Sequence, residues 1–307
     1  SDAKLSSISL TVAYTQYRQI LLPLIANIWS KDQKWQYSTD WRYMKFPSET
    51  WGVEEQRKPE DGFSIDFSYL KIHQLALRAV KKNLFVGTGV YFDNLWNIRE
   101  LSTPPDGSSD FEKYNLDEPE VAFAFPIRIL YDTRLNQINP KNGWFFTLTY
   151  RNNFKALGNT KPWQSVVLDL RKYIQVSKSG NVLAFWLYSW QSTAQTPYLL
   201  LPSTGWDDNF NTARGYIQGR YRSTSLHYAE AEYRFKITPN GLLGGVAFAN
   251  LQAYKLNLNE GPYAFAPAVG TGLRIKLNKK SGANLCIDYG VGQHNSHGFF
   301  INFSELF

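Results

Sequence analysis

A chain of 307 residues is one large domain or two ordinary ones. Apolar residues make up 43% and charged residues 19%, which excludes a disordered chain, and no run of 18 apolar residues exists to form a spanning helix. Cys286 is the single cysteine, so an internal disulfide and a cysteine metal cluster are excluded; 33 basic against 26 acidic residues give a charge of +7, which alone suits nucleic acid, an anionic lipid surface or an acidic solute.

The chain opens Ser1-Asp2-Ala3-Lys4, without Met or an apolar leader, and reads as a mature or trimmed chain. Segments with a period of two follow, separated by turn residues. They predict strands at 6–15, 20–30, 34–46, 63–80, 83–100, 119–135, 143–155, 163–177, 181–193, 225–238, 242–256, 267–278, 284–293 and 298–307. Asn27 interrupts the longest apolar stretch, Ile20 to Trp29, and Leu70 breaks the phase of its segment and suggests a bulge. The connections Pro47 to Gly62 and Ser102 to Glu118 are rich in Pro, Glu, Asp and Ser and read as solvated loops; Gln191 to Thr224 is the third long connection. No composition shift marks a second domain.

The alternation is sharpest late in the chain. His227, Ala229, Ala231, Tyr233 and Phe235 share one face of a strand, and Tyr228, Glu230, Glu232, Arg234 and Lys236 the other. Val269, Thr271 and Leu273 oppose Gly270, Gly272 and Arg274, and Leu285, Ile287, Tyr289 and Val291 oppose Asp288 and Gly290. No dry core accepts such a row of charges, so a soluble sandwich is disfavoured. The strands are long enough to cross a membrane at a tilt. Aromatics near strand ends (Trp29, Trp35, Trp96, Trp144 and Trp163) suit an interfacial girdle. The predicted fold is all-β: a transmembrane antiparallel barrel of about 14 strands with a polar lumen, one domain over 1–307.

Five motifs then occur in one order: Tyr131-Asp132-Thr133-Arg134 with Asn139-Pro140-Lys141-Asn142-Gly143-Trp144; Thr212-Ala213-Arg214-Gly215-Tyr216; Ala229-Glu230-Ala231-Glu232-Tyr233-Arg234-Phe235; Gly272-Leu273-Arg274; and Ile287-Asp288-Tyr289-Gly290. Together they resemble the BamA/TamA superfamily of outer-membrane barrels over Glu118 to Phe307. The resemblance implies a long loop folded into the lumen, with Ala213, Arg214, Gly215 and Tyr216 at its motif. A desolvated Arg214 needs carboxylate partners, and the alternation turns Glu232 and Asp288 inward, beside Asn250 and Arg274. Gly215 allows a tight loop tip. In the last strand Phe299, Ile301, Phe303 and Phe307 fall together, the terminal segment that assembly machinery reads in such barrels.

This sequence departs from the family pattern in three places. Asn250 and Gln252 stand where the family carries Asp and Gly, so an expected lumen charge is replaced by an amide. The family has sixteen strands. Its transport members carry periplasmic POTRA domains, for which no length precedes the first predicted strand. The resemblance implies a role in outer-membrane protein assembly or polypeptide transport in a Gram-negative bacterium, with other outer-membrane or periplasmic proteins as partners. The alternatives are a structural or pore-forming subunit, or the barrel part of a longer patatin-like protein.

Other signals are weaker. Leu201-Pro202-Ser203-Thr204-Gly205 matches a sortase string by chance, because no apolar span and basic tail follow it. Gly87-Thr88-Gly89 and Gly270-Thr271-Gly272 lie inside strands and are not nucleotide loops. His294 and His297 sit in a polar hairpin tip without a third metal ligand. A barrel enzyme needs a nucleophile and a base paired on adjacent strands, and His227, the one strand histidine near the long loop, lies on the apolar face. No enzyme, cofactor, metal or nucleic-acid partner is therefore expected. The charge of +7 is assigned to loops and lumen facing outer-membrane lipid and lipopolysaccharide.

Overall fold

The structure, a computed structural model, describes residues 4–52, 59–102, 111, 116–208, 210–256 and 261–307. Parts of the two predicted solvated loops, 53–58, 103–110 and 112–115, lie outside the described residues.

The strands are β1 (Ser7–Leu10), β2 (Ala13–Tyr14), β3 (Ile20–Trp29), β4 (Trp35–Lys45), β5 (Ser48–Thr50), β6 (Phe63–Lys81), β7 (Leu84–Glu100), β8 (Glu120–Ala124) and β9 (Ile127–Asp132). They continue as β10 (Gly143–Asn153), β11 (Trp163–Gln175), β12 (Val182–Ser192), β13 (Ser225–Lys236), β14 (Leu243–Lys255), β15 (Tyr263–Lys276), β16 (Asn284–Gly292) and β17 (His297–Phe303). All pairings are antiparallel within one 17-stranded sheet. Three spanning strands are each broken in two: β1 and β2 both pair with β3, β4 and β5 both with β6, and β8 and β9 both with β7. Two of the breaks fall at Pro47 and Pro126, where a ladder donor is missing. Joining the halves leaves fourteen spanning strands among the described residues, the number the alternation predicts and not the sixteen of the family.

Short turns, the start of β1 and the end of β17 lie at one end of the strands, and the long loops at the other. Neighbouring strands pair in sequence from β1/β2 through to β17. Among the described residues no register joins β17 to β1 or β2, so the sheet stays unzipped at that seam. Ile8 and Leu10 on one side of it are 69% and 70% exposed, and Phe299 and Phe303 on the other 73% and 79%.

Alternation sorts the faces as expected: Leu187, Leu251, Val269 and Leu273 point outward and are exposed, whereas Arg151, Arg171, Glu230, Glu232 and Asp288 point inward and are buried. The lumen is packed rather than open. At the turn end, Trp29, Leu75, Leu77, Phe85 and Leu130 form one apolar group; at the loop end, Phe46, Phe63, Ile65, Phe67, Phe111 and Tyr198 form another.

Several expectations need correction. Leu70 marks no bulge; the register of β6 with β7 slips instead between Asp66 and Ser68 and between Ala79 and Lys81. Its apparent phase break arises because Phe63, Ile65 and Phe67 face a filled lumen, while Leu70 and Ile72, farther along, face outward. Trp29 and Trp163 are no girdle residues. Both are buried inside, Trp29 edge-on to Phe85 and Trp163 under the Arg151 guanidinium; Trp35 and Trp144 do lie outside. The supposedly solvated loops contribute buried Trp51 and Phe111 to the lumen packing.

Candidate functional site

The long connection between β12 and β13 turns back into the barrel as a hairpin. Thr204 N donates to Tyr221 O at 2.9 Å, Gly219 N to Thr204 O at 2.9 Å, and Ser203 bridges Arg222. Asp207 Oδ1 accepts from Asn211 N at 2.9 Å and Thr212 N at 2.7 Å, which ties the two sides of the tip together. The Leu201–Gly205 string lies buried in this hairpin, which leaves no free segment for a sortase.

All four predicted loop residues are buried. Arg214 has no exposed surface. Its Nη1 donates to Asp288 Oδ2 at 2.5 Å, its Nη2 to Glu230 at 2.5 Å and also to Glu232, and its plane lies 3.6 Å from the centre of the Phe248 ring. Burial alone works to discharge the guanidinium; Glu230, Glu232 and Asp288 together overcome it and raise its pKa. Gly215 adopts φ +108°, and a β-carbon there would sit 2.8 Å from Ala268 Cβ, so the tip requires glycine. Tyr216 donates its hydroxyl to Pro267 O at 2.6 Å and accepts from Gln293 N at 3.0 Å.

The predicted partners converge on this tip. Arg274 shares Asp288 and also reaches Glu305 at 2.8 Å, and Arg234 pairs with Glu232 at 2.7 Å. Asn250 Nδ2 donates to Arg214 O at 3.0 Å, so the amide holds the loop backbone where a carboxylate would have held its charge. Gln252 accepts from Thr204 Oγ1 at 2.9 Å. Both departures from the family pattern thus carry hydrogen bonds to the loop. Gly290 supplies the space: a β-carbon on it would lie 2.7 Å from Gly215 N.

Phe299, Ile301 and Phe303 line the outer face of β17, but Phe307 does not join them. The strand stops at Phe303, Ser304 turns at φ +84°, and the tail enters the lumen. Phe307 is buried, its ring 5.1 Å from that of Trp186, and its carbonyl accepts from Arg234 at 3.1 Å. The neighbouring Leu306 carbonyl accepts from Asn211 of the loop tip at 2.8 Å. Loop and tail therefore brace each other inside the barrel. Alternation missed this because no Gly or Pro marks the turn.

Two features escaped the sequence reading. Glu230 was read as inward but not as a partner of Arg214; its place two residues before Glu232 on the same face was the available signal. A second lumen cluster centres on Asp93, which accepts from Tyr69 at 2.5 Å and pairs with Arg151 at 2.6 Å and His73 at 3.1 Å; His73 stacks on Tyr91. Above it, Asp208 of the loop hairpin reaches Lys71 at 3.5 Å.

A filled antiparallel barrel with a lumen-inserted, arginine-anchored loop and an unzipped first-to-last seam defines the class of protein as an outer-membrane-type β-barrel. The Omp85 superfamily domain matches residues 6–303, and the chain belongs to that superfamily. This bears out the BamA/TamA resemblance. Among solved structures, BamA from Haemophilus ducreyi lacking POTRA domains 1-3 superposes with a TM-score of 0.61 at 13% identity, over 97% of this chain and 64% of that one. The chain thus spans under two thirds of that neighbour's length, and at this identity the likeness is one of fold. No curated protein sequence matches it.

Proposed function

We propose that this barrel acts in the outer membrane of a Gram-negative bacterium, without enzymatic chemistry or a cofactor, in the insertion or transport of other polypeptides. The single observation that carries the reading is the seam. Among the described residues β17 pairs only with β16 and the broken β1/β2 only with β3, so the ladder groups on their two facing edges have no partner strand, while every spanning strand between them is paired on both sides. An unpaired strand edge is costly in lipid. It is also a template on which a client strand can pair by β-augmentation. The packed lumen and the anchored loop disfavour the reading as an open pore.

The test is a lockable seam. Leu10→Cys and Ile301→Cys are introduced into a Cys286→Ser background, and the purified barrel is reconstituted with an unfolded client barrel in liposomes. The reduced form is expected to accelerate client folding and the disulfide-locked form to lose that acceleration. Equal acceleration by both forms overturns the reading.

A further inference from the structure

The positive charge of the chain is unevenly placed. The two long loops 47–62 and 102–118 carry ten carboxylates against three cations. At the opposite end, the mouth of the lumen opens among the short turns as a cavity of about 490 Å³. Lys141, Lys236, Lys276, Lys279 and Lys280 line it. Among the described residues none of these five makes an ion pair. The one carboxylate of the lining, Glu305, is taken up by Arg274 at 2.8 Å and Arg234 at 3.6 Å. Lys141 and Lys236 converge over Gly180: a β-carbon there would lie 3.7 Å from Lys141 Nζ and 3.9 Å from Lys236 Nζ.

Like charges held at one mouth without counter-ions raise a focused positive potential. The short turns mark this end as the periplasmic one, opposite the long loops. We propose that this mouth is a docking site for an acidic segment of a periplasmic protein. The lysines line the lumen entrance, and Lys236 and Lys276 lie on the inward-facing side of β13 and β15, which favours a chain entering from the aqueous side over lipid headgroups packed around the wall. The inference deepens the function proposed above by giving the partner's chemistry. Its test reads binding alone, so it can fail while the seam assay succeeds, and the reverse.

The probe is a fluorescein-labelled oligoglutamate peptide, followed by anisotropy against the purified barrel in phosphatidylcholine nanodiscs. Wild type is expected to bind, with affinity falling steeply as salt rises. Lys279→Glu with Lys280→Glu, at an exposed turn tip, is expected to weaken binding about tenfold or more. Lys141→Gln with Lys236→Gln tests the same mouth without reversing charge. Lys155→Glu, at the loop end, should leave binding unchanged. Heat-dependent gel mobility verifies that each variant is folded. Absence of wild-type binding, equal binding by the mouth variants, or equal loss with Lys155→Glu overturns the proposal. So does loss of peptide binding when phosphatidylglycerol replaces phosphatidylcholine in the nanodiscs, which would assign the mouth to lipid headgroups.

Discussion

Arg214 and Asp288 stand 74 residues apart in sequence, yet meet at 2.5 Å with neither side chain exposed. One lies on a loop and the other on the penultimate strand, so their ion pair ties the loop tip to the barrel wall. Glu230 and Glu232 complete the anchor from β13.

Removing the cation should cost far more than removing one anion. Arg214→Ala strips buried Glu230 of its cation and leaves Glu232 and Asp288 only Arg234 and Arg274, and breaking a buried pair from one side typically costs about 3–5 kcal/mol. The heat-unfolding midpoint in detergent, read by gel mobility, should fall clearly. Asp288→Asn should lower it less, because Glu230 and Glu232 still hold Arg214. An unchanged midpoint for Arg214→Ala would refute the anchor.

Space at the seat should be as exacting as charge. Gly290→Ala sets a methyl group 2.7 Å from Gly215 N and should lift the loop from the wall. Limited trypsinolysis should then cut at Arg214 or Arg220, sites shielded in the wild type. Gly298→Ala meets nothing nearer than 3.7 Å and should leave the digestion pattern unaltered.

Phe307 should matter as a lumen side chain as well as a terminal residue. Phe307→Ala empties the space beside Trp186, and a buried Phe-to-Ala change typically costs about 3–5 kcal/mol. The same gel assay should show a lowered midpoint. Ser304→Gly relieves the positive φ and should preserve or raise it. Wild-type heat stability of Phe307→Ala would contradict the inward tail.

Legibility in the sequence followed the physics of alternation. A strand with lipid on one side and charges on the other declares both faces, as Glu230 to Arg234 does, so strand positions and the inward set were readable. The inner packing was not. Trp29 and Trp163 sit near strand ends, and an aromatic there reads alike whether it faces lipid or a filled lumen. Phe307 continues an outward pattern that Ser304 ends by a backbone turn any residue type can hide. Arg214 was readable because a conspicuous motif and an inward carboxylate row pointed to each other. The Asp93 cluster was not, because nothing local distinguishes Tyr69, His73 and Arg151 from other inward residues.

The second cluster supplies a further check. Asp93→Ala leaves Arg151 without its 2.6 Å carboxylate partner and Tyr69 without its acceptor, tying β6, β7 and β10 less firmly. Its effect should add to that of Arg214→Ala, since the two clusters share no partner. A double variant far from the sum in midpoint shift would indicate that loop and cluster act as one unit.

The most direct test of the central claim is site-specific photo-crosslinking at the seam. A photoreactive residue is placed at Ile301 on β17, at Leu10 on β1, or at Val269 on the outer face of the continuous wall, and a client barrel is allowed to fold in the presence of each variant. Adducts with the client's terminal strand at Ile301 and Leu10, and none at Val269, are the expected result. Equal adducts at all three positions, or none at the seam, would contradict the account.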